Sequence, residues 1–241
     1  MARDFEIKIA GIPIGIHCLQ EDVYRLCRAY WWEGETELSI AVTPEDIEAE
    51  RKQSEQEGAK GYSHSDGYLE TLAVYRKIVT YMPTLDGFLM HGSVLAKDNR
   101  AHIFIAKSGV GKTTHTRLWR KNIPGCYVVN GDKPIIRFLE GIPYACGTPW
   151  CGKERMNTDV MVPLESVVLL ERARENSIRE IPATEAFPVV LQQTYRPPEK
   201  ETLTKTLSLL QQLSEKVKFY RLGCNMSDEA ALTAARALGS I

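Results

Sequence analysis

No apolar run in this 241-residue chain approaches the ~18 residues that a membrane-spanning helix requires. The opening MARDFEIKIAG has no cationic stretch leading into an apolar one. A membrane partner and a secretory signal are therefore not expected, and the sequence reads as cytoplasmic. Net charge is lacking too, since 30 Lys and Arg stand against 31 Asp and Glu, leaving −1. Without an excess of cations there is no broad field to displace counterions from nucleic acid, so nucleic acid is not expected as a partner. Metal-type C-x-x-C pairs are missing as well. Cys18, Cys27, Cys126, Cys146, Cys151 and Cys224 are scattered through a chain long enough to stand on its core, and they read as buried or reduced thiols. Cys146 and Cys151 are close in sequence, but no His stands near them to complete a metal set. Repeats and low-complexity tracts are also absent.

What is present is 44% hydrophobic and 25% charged, the balance of a soluble protein with one large core or two small ones. FEIKIAGIPIGIHC (5–18) alternates as two half-buried strands with a turn at Gly11-Ile12-Pro13, EDVYRLCRAYW (21–31) has helical spacing, and TELSIAVTPE (36–45) reads as another strand. Residues 46–66 are polar and glycine-punctuated, the composition of a solvated helix end followed by a mobile connection. A domain boundary is placed there, with a small N-terminal α+β subdomain over 1–65 and a larger domain over 66–241. GYLETLAVYRKIVTYM (67–82) is an amphipathic helix stopped by Pro83, because proline cannot donate the helical hydrogen bond. Beyond it GFLMHGSVLA, HIFIA, CYVVN, PIIRF and SVVLLE are strand-like. They alternate with helical TTHTRLWRK, ATEAFPVVLQQTY, a Leu-spaced stretch near 201–217, and SDEAALTAARAL. Alternation of this kind predicts an α/β sheet.

The stretch AHIFIAKSGVGKTTHTRLW (101–119) reads as strand, glycine loop and helix. In the pattern G-x-x-x-x-G-K-[ST], backbone N–H groups and a helix N-terminus cradle phosphates, Lys reaches the β and γ oxygens, and Ser or Thr ligates Mg²⁺. Here Ala106 takes the first glycine's place, which requires a negative φ there, and Ser108, Gly109, Val110, Gly111, Lys112, Thr113 and Thr114 follow. The alternative is an ordinary glycine turn with a solvated lysine. The preceding apolar strand and following helix favour the phosphate reading. His115 can lean toward a nucleotide or pack beside Trp119. CYVVNGDKPIIRF (126–138) ends a strand in Asn130-Gly131-Asp132. A carboxylate there can hold Mg²⁺ or take a proton from an attacking hydroxyl. An N-G-D sequence also serves simply as a turn, and residue type alone leaves both readings open.

Taken together, FLMHGSVLA, IAKSGVGKTT and VVNGDKPIIR resemble the catalytic domain of HPr kinase/phosphorylase and its small standalone relatives, which are akin to ATP-dependent phosphoenolpyruvate carboxykinases. His91-Gly92, the 108–113 loop and Asp132 fall in the family's order, while Gly131 stands where the family has the first acid of a D-D pair and its EIRGLG-like segment is missing. The resemblance spans roughly 66–241, and 1–60 has no match. It implies a P-loop-containing HPr kinase-like α/β fold and a Mg²⁺-dependent ATP phosphotransferase acting on a hydroxyl, Ser or Thr of a small protein or peptide. Lys112 and the 108–114 loop would hold ATP, Thr113 and Asp132 would ligate Mg²⁺, Asp132 would accept the hydroxyl proton, and His91 would sit near the γ-phosphate. A homo-oligomer is compatible with the family.

GTPWCGKERMN (147–157) looks like a substrate-side loop, with glycines and Pro149 breaking regular structure, Trp150 offering a flat apolar surface and Lys153 and Arg155 supplying cations. A hairpin excursion with solvated charges is the plainer alternative. Lys153 is accordingly a candidate at the γ-phosphate, and Arg196 a weaker one that reads as solvated. Residues 1–65, with Trp31-Trp32, are candidates for a lid over the core or a substrate-recognition edge for a peptide, although an adjacent aromatic pair more often serves packing. Two other functions fit the same residues: a kinase for a small hydroxylated metabolite, and a nucleotide-gated binding protein with little transfer. A carboxykinase fits less, because the chain is short and lacks a clear metal-binding His and Lys set.

Overall fold

The computed structural model describes residues 2–56 and 64–241. Part of the polar connection expected between helices, 57–63, lies outside the described residues. The chain divides into two compact units, Met1–Tyr81 and Met82–Ile241.

In the first unit β1 (Arg3–Ile9) and β2 (Ile12–Cys18) form an antiparallel hairpin, and β3 (Leu38–Ala41) pairs with β2 in parallel. The hairpin turn falls on Ala10 and Gly11 rather than on Gly11-Ile12-Pro13, with φ of 53° and 77°, and Ile9 faces Ile12. Two successive positive-φ residues give the turn whose twist matches the strands, and Pro13 then sits inside β2 opposite Lys8. Among the described residues of this unit the α-helices are α1 (Glu21–Leu26), α2 (Pro44–Gln56) and α3 (Asp66–Tyr81). The polar stretch after residue 44 is therefore helical through Gln56, since Glu, Lys, Arg and Gln lose little rotamer freedom in a helix. α3 packs with α1 and α2 in this unit, so the division follows the helix instead of preceding it. Ion pairs from Arg76 to Glu50 and from Lys77 to Asp46 (2.8 Å) join α3 to α2. The fully buried Glu70 carboxylate accepts the amides of Leu19 (2.5 Å) and Gln20 (2.8 Å), which fixes the chain entering α1.

The second unit is built on a nine-stranded mixed sheet. Its strands are β4 (Gly87–Leu89), β5 (Ser93–Lys97), β6 (Arg100–Ile105), β7 (Tyr127–Asn130), β8 (Ile135–Leu139), β9 (Ile142–Cys146), β10 (Met161–Arg172), β11 (Ser177–Ile181) and β12 (Lys218–Cys224). The order β4-β8-β9-β10-β6-β5-β7 continues from β10 through β12 to β11. The long β10 joins two patterns: residues 161–163 pair antiparallel with β9, and after an irregularity between Leu164 and Ser166 the strand runs parallel to both β6 and β12.

Helices cover both faces of the parallel centre, so its strands are apolar on both sides. Alternation along β6 sends Phe104 into a cluster with Trp119 of α4 (Lys112–Asn122) and the alanines of α7 (Asp228–Ala237). Ile103 and Ile105 join Val190 of α5 (Ala183–Gln193) and Leu209 and Leu213 of α6 (Lys200–Lys216). The stretch GFLMHGSVLA is two strands rather than one: β4 pairs with β8, and β5 with β6 and β7. Its break at 90–92 carries His91 out of regular pairing and next to the candidate site. No helix among the described residues is long and apolar enough to cross a membrane.

Candidate active site

β6 ends at Ile105 and α4 begins at Lys112, so residues 106–111 form the loop between them. Gly109 and Gly111 have φ of +78° and +130°, values that side-chain-bearing residues rarely adopt. A Cβ on either would meet nothing within 4 Å, so backbone conformation rather than crowding selects glycine, and the space before the loop is open. Ala106 has no positive φ, as its place in the pattern demands. Arg172, at the end of β10, donates Nε to the Val110 carbonyl (3.1 Å) and Nη2 to that of Gly109 (2.5 Å). These bonds hold the loop by its oxygens. The first amides of α4 have no acceptor within the helix and face the loop end with its positive dipole.

The Lys112 ammonium donates to the Ala106 carbonyl (3.0 Å). Burial lowers its pKa and the nearby Asp132 charge works against that shift. The first turn of α4 is fixed by a hydroxyl chain: Ser93 bonds Thr116 (2.6 Å), and Thr116 donates to the Lys112 carbonyl (3.0 Å). His115 packs beside Trp119, whose indole N–H donates to His115 Nε2 (2.9 Å).

Asp132 sits on the turn after β7. Asn130, fully buried, accepts the amides of Asp132 (2.9 Å) and Lys133 (2.7 Å) on Oδ1, the side-chain turn expected of Asn. Its Nδ2 donates to the carbonyl and hydroxyl of Thr148, both at 3.0 Å. The acidic turn is thereby tied to the start of the 147–157 segment. His91 Nε2 lies 3.0 Å from Asp132 Oδ1, and the Gly92 amide donates to the Asp132 carbonyl (3.0 Å). Burial acts to raise the Asp132 pKa, but the His91 hydrogen bond and charge, with Lys133 and Lys112, outweigh it and hold the carboxyl below its usual range. Among the described residues no group of three or more His, Cys, Asp or Glu is gathered for a metal.

The 147–157 segment crosses the acidic turn. Gly152 has φ +78°, and a Cβ there would lie 3.0 Å from Asp132 Cβ. Trp150 is buried, 7% exposed, rather than presenting a flat surface. Lys153 and Arg155 are exposed on the 152–155 turn, and Glu154 pairs with Arg117 of α4 (2.6 Å). The structure thus brings Lys112, Asp132 and His91 together, while Lys153 stands in solvent beside Gly152. Arg196 is exposed. All six cysteines are free thiols, and burial pushes Cys146 up to about 12.

Gly147→Ala is expected to destabilise the protein by about 2 kcal/mol, since an added methyl would overlap the Thr158 carbonyl and press on that of Val129. Thermal melting of the variant checks this, and an unchanged midpoint would show that 147–158 relaxes freely.

No protein-family model matches the chain, and no curated protein sequence does. Among solved structures, the Hpr(Ser) kinase/phosphatase from Coxiella burnetii is similar at 8% identity and a TM-score of 0.36, over 63% of this chain and 98% of that one.

Proposed function

We propose that the second unit is a Mg²⁺-dependent ATP phosphotransferase of the HPr kinase-like type, acting on a hydroxyl of Ser or Thr in a small protein or peptide. The observation that carries this reading is the meeting of an ionised, half-buried Asp132 with Lys112, at the mouth of an open glycine loop that starts a helix. A dissociative phosphoryl transfer requires charge neutralisation, alignment and a route for the acceptor proton. The loop amides and Lys112 supply the first by binding the β and γ phosphates. Asp132, ionised at neutral pH, takes the proton from the attacking hydroxyl, and His91 orients that carboxylate by its bond to Oδ1.

The Thr113 hydroxyl and the Asp132 carboxylate are hard oxygen donors, which suits a cation that keeps several waters and takes phosphate oxygens as its remaining ligands. When bound, Mg²⁺ supplies charge neutralisation on the phosphate oxygens. The exposed Lys153, next to Gly152 on the turn, would meet an acceptor or a phosphate oxygen arriving from solvent.

Incubation with γ-labelled ATP, Mg²⁺ and a cell extract tests the reading. A labelled polypeptide supports it, and a labelled small molecule favours a metabolite kinase. Nucleotide binding without any transfer favours a gated binding protein. Lys112→Ala is expected to weaken ATP binding roughly 10- to 100-fold, the worth of a charge-assisted bond to phosphate. Unchanged affinity, measured by calorimetry, would remove the loop from the mechanism.

A further inference from the structure

A strand at the end of a sheet presents unpaired N–H and C=O groups, and proteins cover or charge such edges to keep other chains off. The edges of β1, β4, β7 and β11 are all managed in one of these ways. Ile7 of β1 bridges Trp31, and the Glu6 carbonyl accepts the Trp32 amide (3.0 Å). Beside β4, Met90 bridges Thr194 and the Leu89 carbonyl accepts the Tyr195 amide (3.0 Å). The Val129 carbonyl of β7 accepts the Thr158 amide (3.1 Å). β11 carries Arg179 and Glu180, which pair with Glu185 (2.7 Å) and Lys218 (3.6 Å).

β3 is different. It ends the order β1-β2-β3, and its sequence LSIA has neither charge nor proline. The Glu37 amide donates to the Pro13 carbonyl (2.9 Å) and the Val42 amide to that of His17 (3.1 Å), so the chain runs beside β2 from 37 to 42. Ile40 is buried while the small Ser39 and Ala41 are exposed. Among the described residues no strand and no backbone bond covers the side of β3 away from β2.

The approach to this edge is acidic. From Glu33 to Glu50 the chain contains no Lys, Arg or His. Asp46, Glu48 and Glu50 are matched by Lys77, Arg51 and Arg76. Glu33, Glu35 and Glu37 are exposed and meet no cation among the described residues. Such a field selects a basic partner. It also acts against a second copy of this chain pairing through β3, because both copies would bring the same glutamates.

We infer that the β3 edge takes an extended segment of the acceptor polypeptide as an added strand, with Lys or Arg at one end of that segment meeting Glu33, Glu35 and Glu37. The inference rests on the reading of this protein as a kinase for a polypeptide. Backbone bonds along β3 supply affinity for any extended chain, and the glutamates supply the choice of partner.

The probe is a displayed library of random peptides, selected against the full chain without nucleotide. Enriched peptides are expected to be free of proline and to carry Lys or Arg at one end. The charge reversal Glu33→Lys, Glu35→Lys, Glu37→Lys, on exposed side chains, should weaken the best peptide about tenfold, the worth of a few surface ion pairs. N-methylation of one alternate set of its amides should abolish binding, while the other set tolerates it, and hydrogen exchange should slow at 37–42. No enrichment, enrichment without basic residues, equal effects of the two methylated sets, or protection away from β3 would each overturn the inference. Dimers of the full chain that the peptide does not dissociate would overturn it in favour of a second copy. Fusing the peptide to a Ser-bearing polypeptide and adding labelled ATP separates the two readings: binding without transfer refutes the kinase and leaves the edge as a peptide site.

Discussion

Asp132→Asn is expected to lower kcat for phosphoryl transfer about a thousandfold while ATP affinity stays within about threefold. The amide preserves the size and backbone bonds of the residue, so the turn held by Asn130 and the Gly92 amide should survive. What it loses is the basic oxygen. A group that takes a proton in the transition state affects kcat and kcat/KM equally, whereas one that only holds ground-state nucleotide would raise KM. The depressed pKa sets the companion expectation for pH: the carboxylate is already the basic form above the ordinary carboxyl range, so its titration leaves the rate flat near neutrality and lowers it only in acid. Single-turnover kinetics of the variant decide the matter. A rate within tenfold of the original would reduce Asn130-Gly131-Asp132 to a turn.

The strand, loop and helix at 101–119 were legible because each carries a local signal: an apolar run, glycines at fixed spacing, then helical periodicity ending in basic residues. Asp132 was legible as a candidate because it ends a strand. Its partners were not. His91 reaches it only because the chain breaks between β4 and β5, and an apolar stretch with one His-Gly pair does not announce that its halves join different parts of a sheet. Arg172 looks like a solvated end of SVVLLER, yet its two bonds shape the loop, a role set by β10 lying beside β6. Asn130 and Thr148 are joined across unrelated segments by polar groups that seem unremarkable in sequence.

The misjudged elements have similar causes. IPYAC (β9), SIREI (β11) and KFYRLGC (β12) contain a proline or charges that weaken a strand signal, and tertiary pairing supplies what local propensity does not. The amphipathic face of α3 showed that the helix packs, but not that α1 and α2 are what it packs against.

Acid should begin to destabilise the protein before its carboxylates titrate. Two histidines, His102 and His115, are each 2% exposed, and burial lowers both pKa values to about 4. Around His102, Glu165 pulls the value up and Arg100 pushes it down, while Ser166 bonds Nδ1 (2.9 Å) and Ser240 approaches Nε2 (3.3 Å). The unfolded chain binds these protons near pH 6.5 and the folded chain does not. Keeping the rings neutral therefore contributes stability that is fully present above about 6.5 and is lost as pH falls toward 4, in the limit roughly 3 kcal/mol for each ring. Loss of that size is a large part of the 5–15 kcal/mol that holds a typical domain folded. Urea unfolding at pH 7, 6, 5 and 4.5 should show the free energy falling through this window with a slope approaching two protons. His102→Gln, which retains a polar partner for Ser166, should halve the slope. A flat profile from pH 6.5 to 4.5 would mean that water reaches the rings or that they find acceptors when charged.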